Sequence, residues 1–343
     1  MSRPTVLLLF GGESSEHEVS ISSARNVYAA IDANRYDVRL GYIDKLGQWW
    51  LCDDVSEDSS RDGAEAMYPA LGKGGFWVGR ADNLIKPDVI LPILHGANGE
   101  DGSVQGLAQL LHIPIVGCGM TASAVSMDKR LSKRLATESG VGVVPYITHH
   151  VSDASIKYDS VTAELGQTLF VKPNRAGSSV GVSKASSQAE FETAIEAAHR
   201  HDDIVLIETA VSARELEVAV LGDYPNYEVS QIGEIIPEGE FYSYESKYAT
   251  GSGSRVFIPA DDLSQETSAL IRLWAGRVYE ALDCSGLARV DFFLSSDGQL
   301  YFNEINTMPG FTDISMYPKL WQTSGMSYSE LIERLIDMRL EPR

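Results

Sequence analysis

Basic side chains are scarce in this chain. Of its 343 residues, 28 are Lys or Arg against 48 Asp or Glu, a formal net charge of −20. A surface that acidic repels phosphodiester backbones and anionic lipid, so neither nucleic acid nor a membrane is an expected partner. A nucleotide stays open, because a cleft can be locally basic. Cysteine is scarcer still. Cys52, Cys118 and Cys284 lie far apart and form no CxxC pair, which argues against a disulfide framework or zinc site and leaves buried thiols as the expectation. No run approaches the roughly 20 apolar residues of a membrane span. The first apolar run, residues 6–10, ends in Gly-Gly-Glu and is shorter than a signal-peptide core. A cytoplasmic protein is expected. The chain also has no GxxxxGKS or GxxxxGKT loop, no internal repeat and no low-complexity tract.

What is present is an alternation of strands and helices. Residues 5–10 form a short buried strand, a helix begins near Glu18, and strands follow at 36–43 and 87–94. A helix over 101–112 and an apolar strand at 113–116 close the unit. This order predicts a parallel, Rossmann-like sheet, with glycines at strand ends where ligands usually sit. Residues 49–79, with three tryptophans and a glycine cluster, read as an insertion. The texture changes near residue 120. A helix at 128–139, a strand at 169–172, a Gly/Ser loop at 174–181, a helix at 188–201 and a strand at 204–207 follow one another. Segments 215–221 and 227–234 pair as antiparallel strands about Gly222-Asp223. Residues 237–259 make a polar, aromatic-rich loop too long for a simple connector. A helix at 265–282, strands at 287–294 and 300–305 and a helix at 328–340 complete the chain. Its length exceeds the roughly 250–300 residues at which single cores stop growing, and domains over 1–120, 121–211 and 212–343 are expected.

The most informative residues are Arg289, Asp291, Glu304 and Asn306. Glu304 and Asn306 alternate on one strand and Arg289 and Asp291 on another, so each pair shares a face. Two carboxylates and an amide make a hard oxygen site suited to Mg²⁺. A cation beside them is expected where a metal–phosphate complex meets a developing oxyanion. A second signal is Lys172, delivered by a strand to the loop Gly177-Ser178-Ser179-Val180-Gly181. Backbone N–H groups of such a loop can wrap phosphates, although most Gly/Ser loops are only loops. Glu16 could likewise merely cap the helix that follows it.

In this order the lysine strand, the Gly/Ser loop, Glu208, Glu215 and the Asp291/Glu304/Asn306 triad resemble ATP-grasp enzymes. The match sharpens at Gly11–Ser20 (GGESSEHEVS) and at His95–Gly102 (HGANGEDG), which look like the two N-terminal signatures of D-alanine–D-alanine ligases. Phe241–Tyr248 (FYSYESKY) resembles their mobile loop, and Gly310–Pro318 (GFTDISMYP) their C-terminal substrate segment. The resemblance runs from residue 4 to about 340. It implies an α/β fold class: an N-terminal Rossmann-like domain, then an ATP-grasp fold of two α+β subdomains, with 237–259 as a lid.

The resemblance also implies roles. Lys129 and Lys172 match the lysines on the α- and β-phosphates of ATP, and Lys247 the one on the γ-phosphate. Glu208 matches the adenine amino-group acceptor and Glu215 the ribose grip, while Phe241 and Phe293 wall the base. Asp291, Glu304 and Asn306 match the ligands of two Mg²⁺ ions, which Mn²⁺ can replace. Glu16 matches the carboxylate for the ammonium of the first D-alanine, linked to Ser178 and Tyr248, with His95 nearby. Arg289 and the N–H of Gly310 match the oxyanion stabilisers, and Ser315 with Lys247 the seat of the second carboxylate. A homodimer is expected. The activity implied is joining of two D-alanines through an acyl phosphate for peptidoglycan precursors. Tyr248 in its Lys-Tyr pair favours an amine over D-lactate as second substrate, whereas D-serine differs by only one hydroxyl. Another ATP-grasp ligase would lack the two N-terminal signatures, and a non-catalytic nucleotide-binding protein would have no use for a complete set of metal ligands.

Overall fold

The computed structural model of the protein describes residues 3–56, 63–236 and 255–341. Strand Thr5–Gly11 lies between Asp37–Ile43 and Val89–Leu94 and is parallel to both. Its side chains Val6 to Phe10 are fully buried. Val6, Leu8 and Phe10 face a core with Val27 and Tyr36, while Leu7 and Leu9 face another with Ala108 and Leu111. An apolar run without alternation is what a parallel strand covered on both sides requires, and each such side chain contributes roughly 1.5–3 kcal/mol.

One expectation for this unit gains detail and another needs correction. Residues 49–79, expected as an insertion on this unit, add to its sheet. Strands Trp49–Cys52, Glu65–Ala70, Gly75–Val78 and Arg80–Ile85 extend the same sheet, antiparallel, to seven strands. The reversal is fixed by Asp44, whose carboxylate accepts from Leu46 N, Gln48 N and Trp50 Nε1. Residues 113–116 form one parallel bridge, Ile90 to Ile115, and no strand. Pro114 has no N–H to extend a ladder, and Gly117 turns the chain away at φ +96.

A four-stranded antiparallel sheet follows, in the order Ser183–Ala185, Leu169–Pro173, Ile204–Thr209, Tyr146–His150. Helix Gln188–His199 packs on it and is capped by Ser187. A five-stranded antiparallel sheet runs Arg255–Phe257, Glu228–Ile236, Ala213–Gly222, Gly286–Ser295, Leu300–Asn306. Helix Gln265–Ala281 and the C-terminal part of helix Lys129–Glu138 share its core. Helices Met316–Thr323 and Tyr328–Leu340 return to the first sheet, where Tyr317, Leu331 and Leu335 join the core of Val6 and Leu8. This return brings the segment around Gly310 against the start of the chain.

Candidate active site

Strand register builds the centre of the cleft. Asp291 pairs with Glu304 on one side and Glu217 on the other, and Arg289 pairs with Asn306. The expected faces therefore coincide, with a third carboxylate added. Arg289 donates to both Asp291 oxygens, at 2.7 and 2.6 Å, and its Nε is 3.0 Å from Glu217 Oε2. Burial disfavours the guanidinium charge, but Asp291 and Glu217 outweigh it and hold the Arg289 pKa well above its ordinary value. Glu304 Oε2 lies 3.3 Å from Lys129 Nζ. Glu217 escaped the sequence reading, although its period-two spacing from Glu215 on one strand was a usable signal.

Beside this row, Glu208 is buried between two lysines. Lys172 Nζ is 2.6 Å from Oε2, and Lys133 Nζ is 3.0 Å from Oε1, an ion pair without hydrogen-bond alignment. Burial would raise the Glu208 carboxyl, yet the two ammonium groups hold it below the usual range. Burial pushes Lys133 down to about 8 against the opposing pull of Glu208. Lys133 was not singled out from the sequence. Its one pointer is the i, i+4 spacing from Lys129, which puts both on one helix face.

The third part is the N-terminal edge. Ser178 Oγ donates to Glu16 Oε1 at 2.6 Å. Glu16 precedes helix His17–Ala30 but makes no side-chain cap bond, so the capping alternative is set aside. Ser178 and Ser179 hold left-handed backbone, φ 50 and 60, a conformation that costs non-glycine residues energy and clusters at ligand sites. Lys129 Nζ donates to Ala176 O in the same loop at 2.8 Å. His95 Nδ1 donates to Met308 O at 3.1 Å. Burial alone would lower the His95 pKa, but Glu100 at 3.7 Å and Glu16 outweigh it and raise it. Gly96 holds left-handed backbone (φ +73) that favours glycine, and a Cβ there would come 3.1 Å from Glu16 Oε2. In the C-terminal segment Ser315 Oγ accepts from Thr312 N at 3.0 Å, and a Cβ on Gly310 would lie 2.6 Å from that oxygen.

Two adjoining cavities result. One of about 480 Å³ is lined by Glu16, His95, Ser178, Gly310 and Ser315 among others. One of about 280 Å³ is lined by Lys172, Glu208, Glu215, Phe293 and Asp291 among others. Lys129, Ser178, Glu217, Arg289 and Glu304 line both and mark the junction, while Asn306 faces the larger. Phe241, Lys247 and Tyr248 lie outside the described residues. A double chamber joined by a carboxylate row and cations suits an anionic, metal-carrying substrate meeting a smaller one.

Family models for the D-ala D-ala ligase N-terminus and C-terminus match residues 5–118 and 135–337. The chain belongs to the D-alanine–D-alanine ligase family. A relative from Chromobacterium violaceum, "D-alanine--D-alanine ligase A", is 46% identical over 99% of this chain and 96% of its own length. The solved D-alanine-D-alanine ligase of Coxiella burnetii has a TM-score of 0.88 at 33% identity, covering 99% of this chain and 94% of that one. The VanG D-Ala:D-Ser ligase of Enterococcus faecalis has a TM-score of 0.86 at 32% identity, covering 98% and 100%. The ATP-grasp fold expected from the motifs is thus present, and this member of the D-alanine–D-alanine ligase family is a ligase enzyme. Family membership implies use of ATP with a divalent metal and small-molecule substrates. Among the described residues no helix is long and apolar enough to cross a membrane.

Proposed function

We propose that the enzyme joins two D-alanines to D-alanyl-D-alanine, through an acyl phosphate formed at the expense of ATP, for peptidoglycan precursors. The observation that carries this reading is the junction of the two cavities, where Arg289, Lys129 and the Asp291/Glu304 pair meet the Ser178–Glu16 hydrogen bond. Glu16, oriented by Ser178, receives the ammonium of the first D-alanine, with His95 behind it. The carboxylate of that D-alanine then points at the junction. There Lys129 and Lys172 bind phosphate oxygens, Glu208 accepts from the adenine amino group, Glu215 holds the ribose, and Phe293 covers the base. Transfer of the γ-phosphoryl group to the carboxylate needs alignment and charge neutralisation more than covalent help. The amine of the second D-alanine, its own carboxylate held at Ser315, attacks the activated carbonyl. Arg289 and the Gly310 N–H stabilise the resulting oxyanion. Lys247, Tyr248 and Phe241 are assigned by sequence resemblance alone, as γ-phosphate contact, lid hydroxyl and base wall.

The residues fit a hard divalent cation. Its proposed ligands are the Asp291 and Glu304 carboxylates with the Asn306 amide, which are hard oxygen donors of the kind Mg²⁺ takes. Meanwhile Arg289 and Lys129 neutralise these carboxylates. Two Mg²⁺ ions, with Mn²⁺ as a substitute, would supply further neutralisation of the phosphates during transfer. The Enterococcus relative makes D-serine the natural competitor as second substrate, while the more similar curated relative carries the D-alanine name. Incubation with ATP, Mg²⁺ and D-alanine, with and without D-serine or D-lactate, tests the reading by product identification. D-alanyl-D-alanine formed one-to-one with ADP supports it, and a mixed product in preference contradicts it. A homodimer is part of the same reading, and light scattering checks it.

A further inference from the structure

We propose that Lys133 is the fixed counter-ion of Glu208, the buried cation that lets Lys172 leave this carboxylate for the phosphates of an incoming nucleotide. This rests on the reading of Lys172 and Glu208 as nucleotide contacts. Each Glu208 oxygen faces a different lysine, Oε2 with Lys172 at 2.6 Å and Oε1 with Lys133 at 3.0 Å. The two lysines differ in access. Lys172 lines the smaller cavity and its side chain keeps 10% exposure, whereas the Lys133 side chain has none. Lys172 can therefore turn to a ligand in the cavity, and Lys133 stays with Glu208.

That division solves an electrostatic problem. A carboxylate buried this deeply and stripped of its partner carries a desolvation penalty large enough to cancel a new phosphate contact. With Lys133 fixed behind it, Glu208 remains paired and ionised while Lys172 moves. The other groups that face the pair do not replace this function. Tyr146 is registered opposite Glu208 on the next strand, and Glu304 acts on Lys133 only at longer range. The helix that carries Lys129 to the loop at Ala176 also carries Lys133 to Glu208, one turn on.

The test is calorimetric titration of ADP with Mg²⁺ into the full chain, in two buffers of different ionisation heat. Lys133→Met is expected to bind ADP at least ~10-fold more weakly. It should also take up close to one more proton per nucleotide than the wild type, because Glu208 must be protonated as Lys172 leaves. Lys133→Arg restores both quantities. A Lys133→Met protein with wild-type affinity and proton count, beside a Lys172→Met protein that has lost affinity, overturns the proposal. If Lys172→Met itself binds ADP as the wild type does, the nucleotide reading falls and the proposal with it. Should Lys133→Met fail to fold, Lys133→Met combined with Glu208→Gln decides, since neither charge then needs a partner. Affinity close to that of Glu208→Gln alone, with no extra proton, supports the counter-ion role. Affinity ~10-fold below Glu208→Gln overturns it.

Discussion

The Ser178 hydroxyl donates to the Glu16 carboxylate at 2.6 Å, joining residues 162 positions apart. Glu16 stands at the start of the first helix, and Ser178 belongs to the loop after strand Leu169–Pro173. The proposed first-substrate site therefore exists only when these two parts of the chain are docked. Ser178→Ala removes a hydrogen bond to a charged acceptor, a type of bond worth about 1.5–3 kcal/mol. The KM for the first D-alanine is expected to rise ~10-fold or more, with the KM for ATP unchanged. Steady-state kinetics with each substrate varied in turn check this, and a rise confined to ATP would place Ser178 with the nucleotide.

Glu217 Oε2 lies 3.0 Å from Arg289 Nε, whose N–H donates to Asp291. Glu217→Gln keeps the shape and removes one charge. If Arg289 stabilises the oxyanion, kcat is expected to fall ~10–100-fold, with both KM values within a few-fold of wild type. An effect on KM for ATP with kcat intact would assign Glu217 to nucleotide binding.

Glu304→Gln weakens the hard-oxygen set without changing its volume. Phosphoryl transfer is expected to drop at least ~100-fold, and the Mg²⁺ concentration giving half-maximal rate to rise. An unchanged kcat at saturating Mg²⁺ would remove Glu304 from the metal assignment.

Lys133 gives a pH signature of its own. Its folded-state pKa of about 8 lies below the ordinary 10.5 of a lysine. Between these values the unfolded chain binds more protons than the folded one, so this group makes stability rise with pH. The penalty for burying its charge is full below pH 8 and gone above 10.5. Chemical denaturation across that window should show wild type gaining on Lys133→Met as pH increases. A constant difference would mean that Lys133 titrates normally in the fold.

The parts legible in the sequence were those governed by local periodicity. Period-two spacing put Arg289 with Asp291 and Glu304 with Asn306, and the register then set the two pairs opposite each other. The parts that escaped depend on tertiary context. Lys133 reads as an ordinary helix lysine until burial against Glu208 is known. The strands within residues 49–79 are four to six residues long, so nothing local attached them to the parallel sheet. Helix Met316–Thr323 was hidden by Pro318, which is tolerated because it falls in the first turn. Helix Tyr328–Leu340 is legible because its start is a local signal, the complete Ser327/Glu330 capping box.

In the proposed reaction a phosphoryl group passes to the carboxylate of D-alanine at the junction of the two cavities before the peptide bond forms. The direct measurement uses D-alanine labelled with ¹⁸O in its carboxylate, followed by mass analysis of the phosphate released from ATP. Through an acyl phosphate, one ¹⁸O is transferred to inorganic phosphate for each D-alanyl-D-alanine made, and ADP is the nucleotide product. Unlabelled phosphate, or AMP with pyrophosphate in place of ADP, would mean that no acyl phosphate lies on the path.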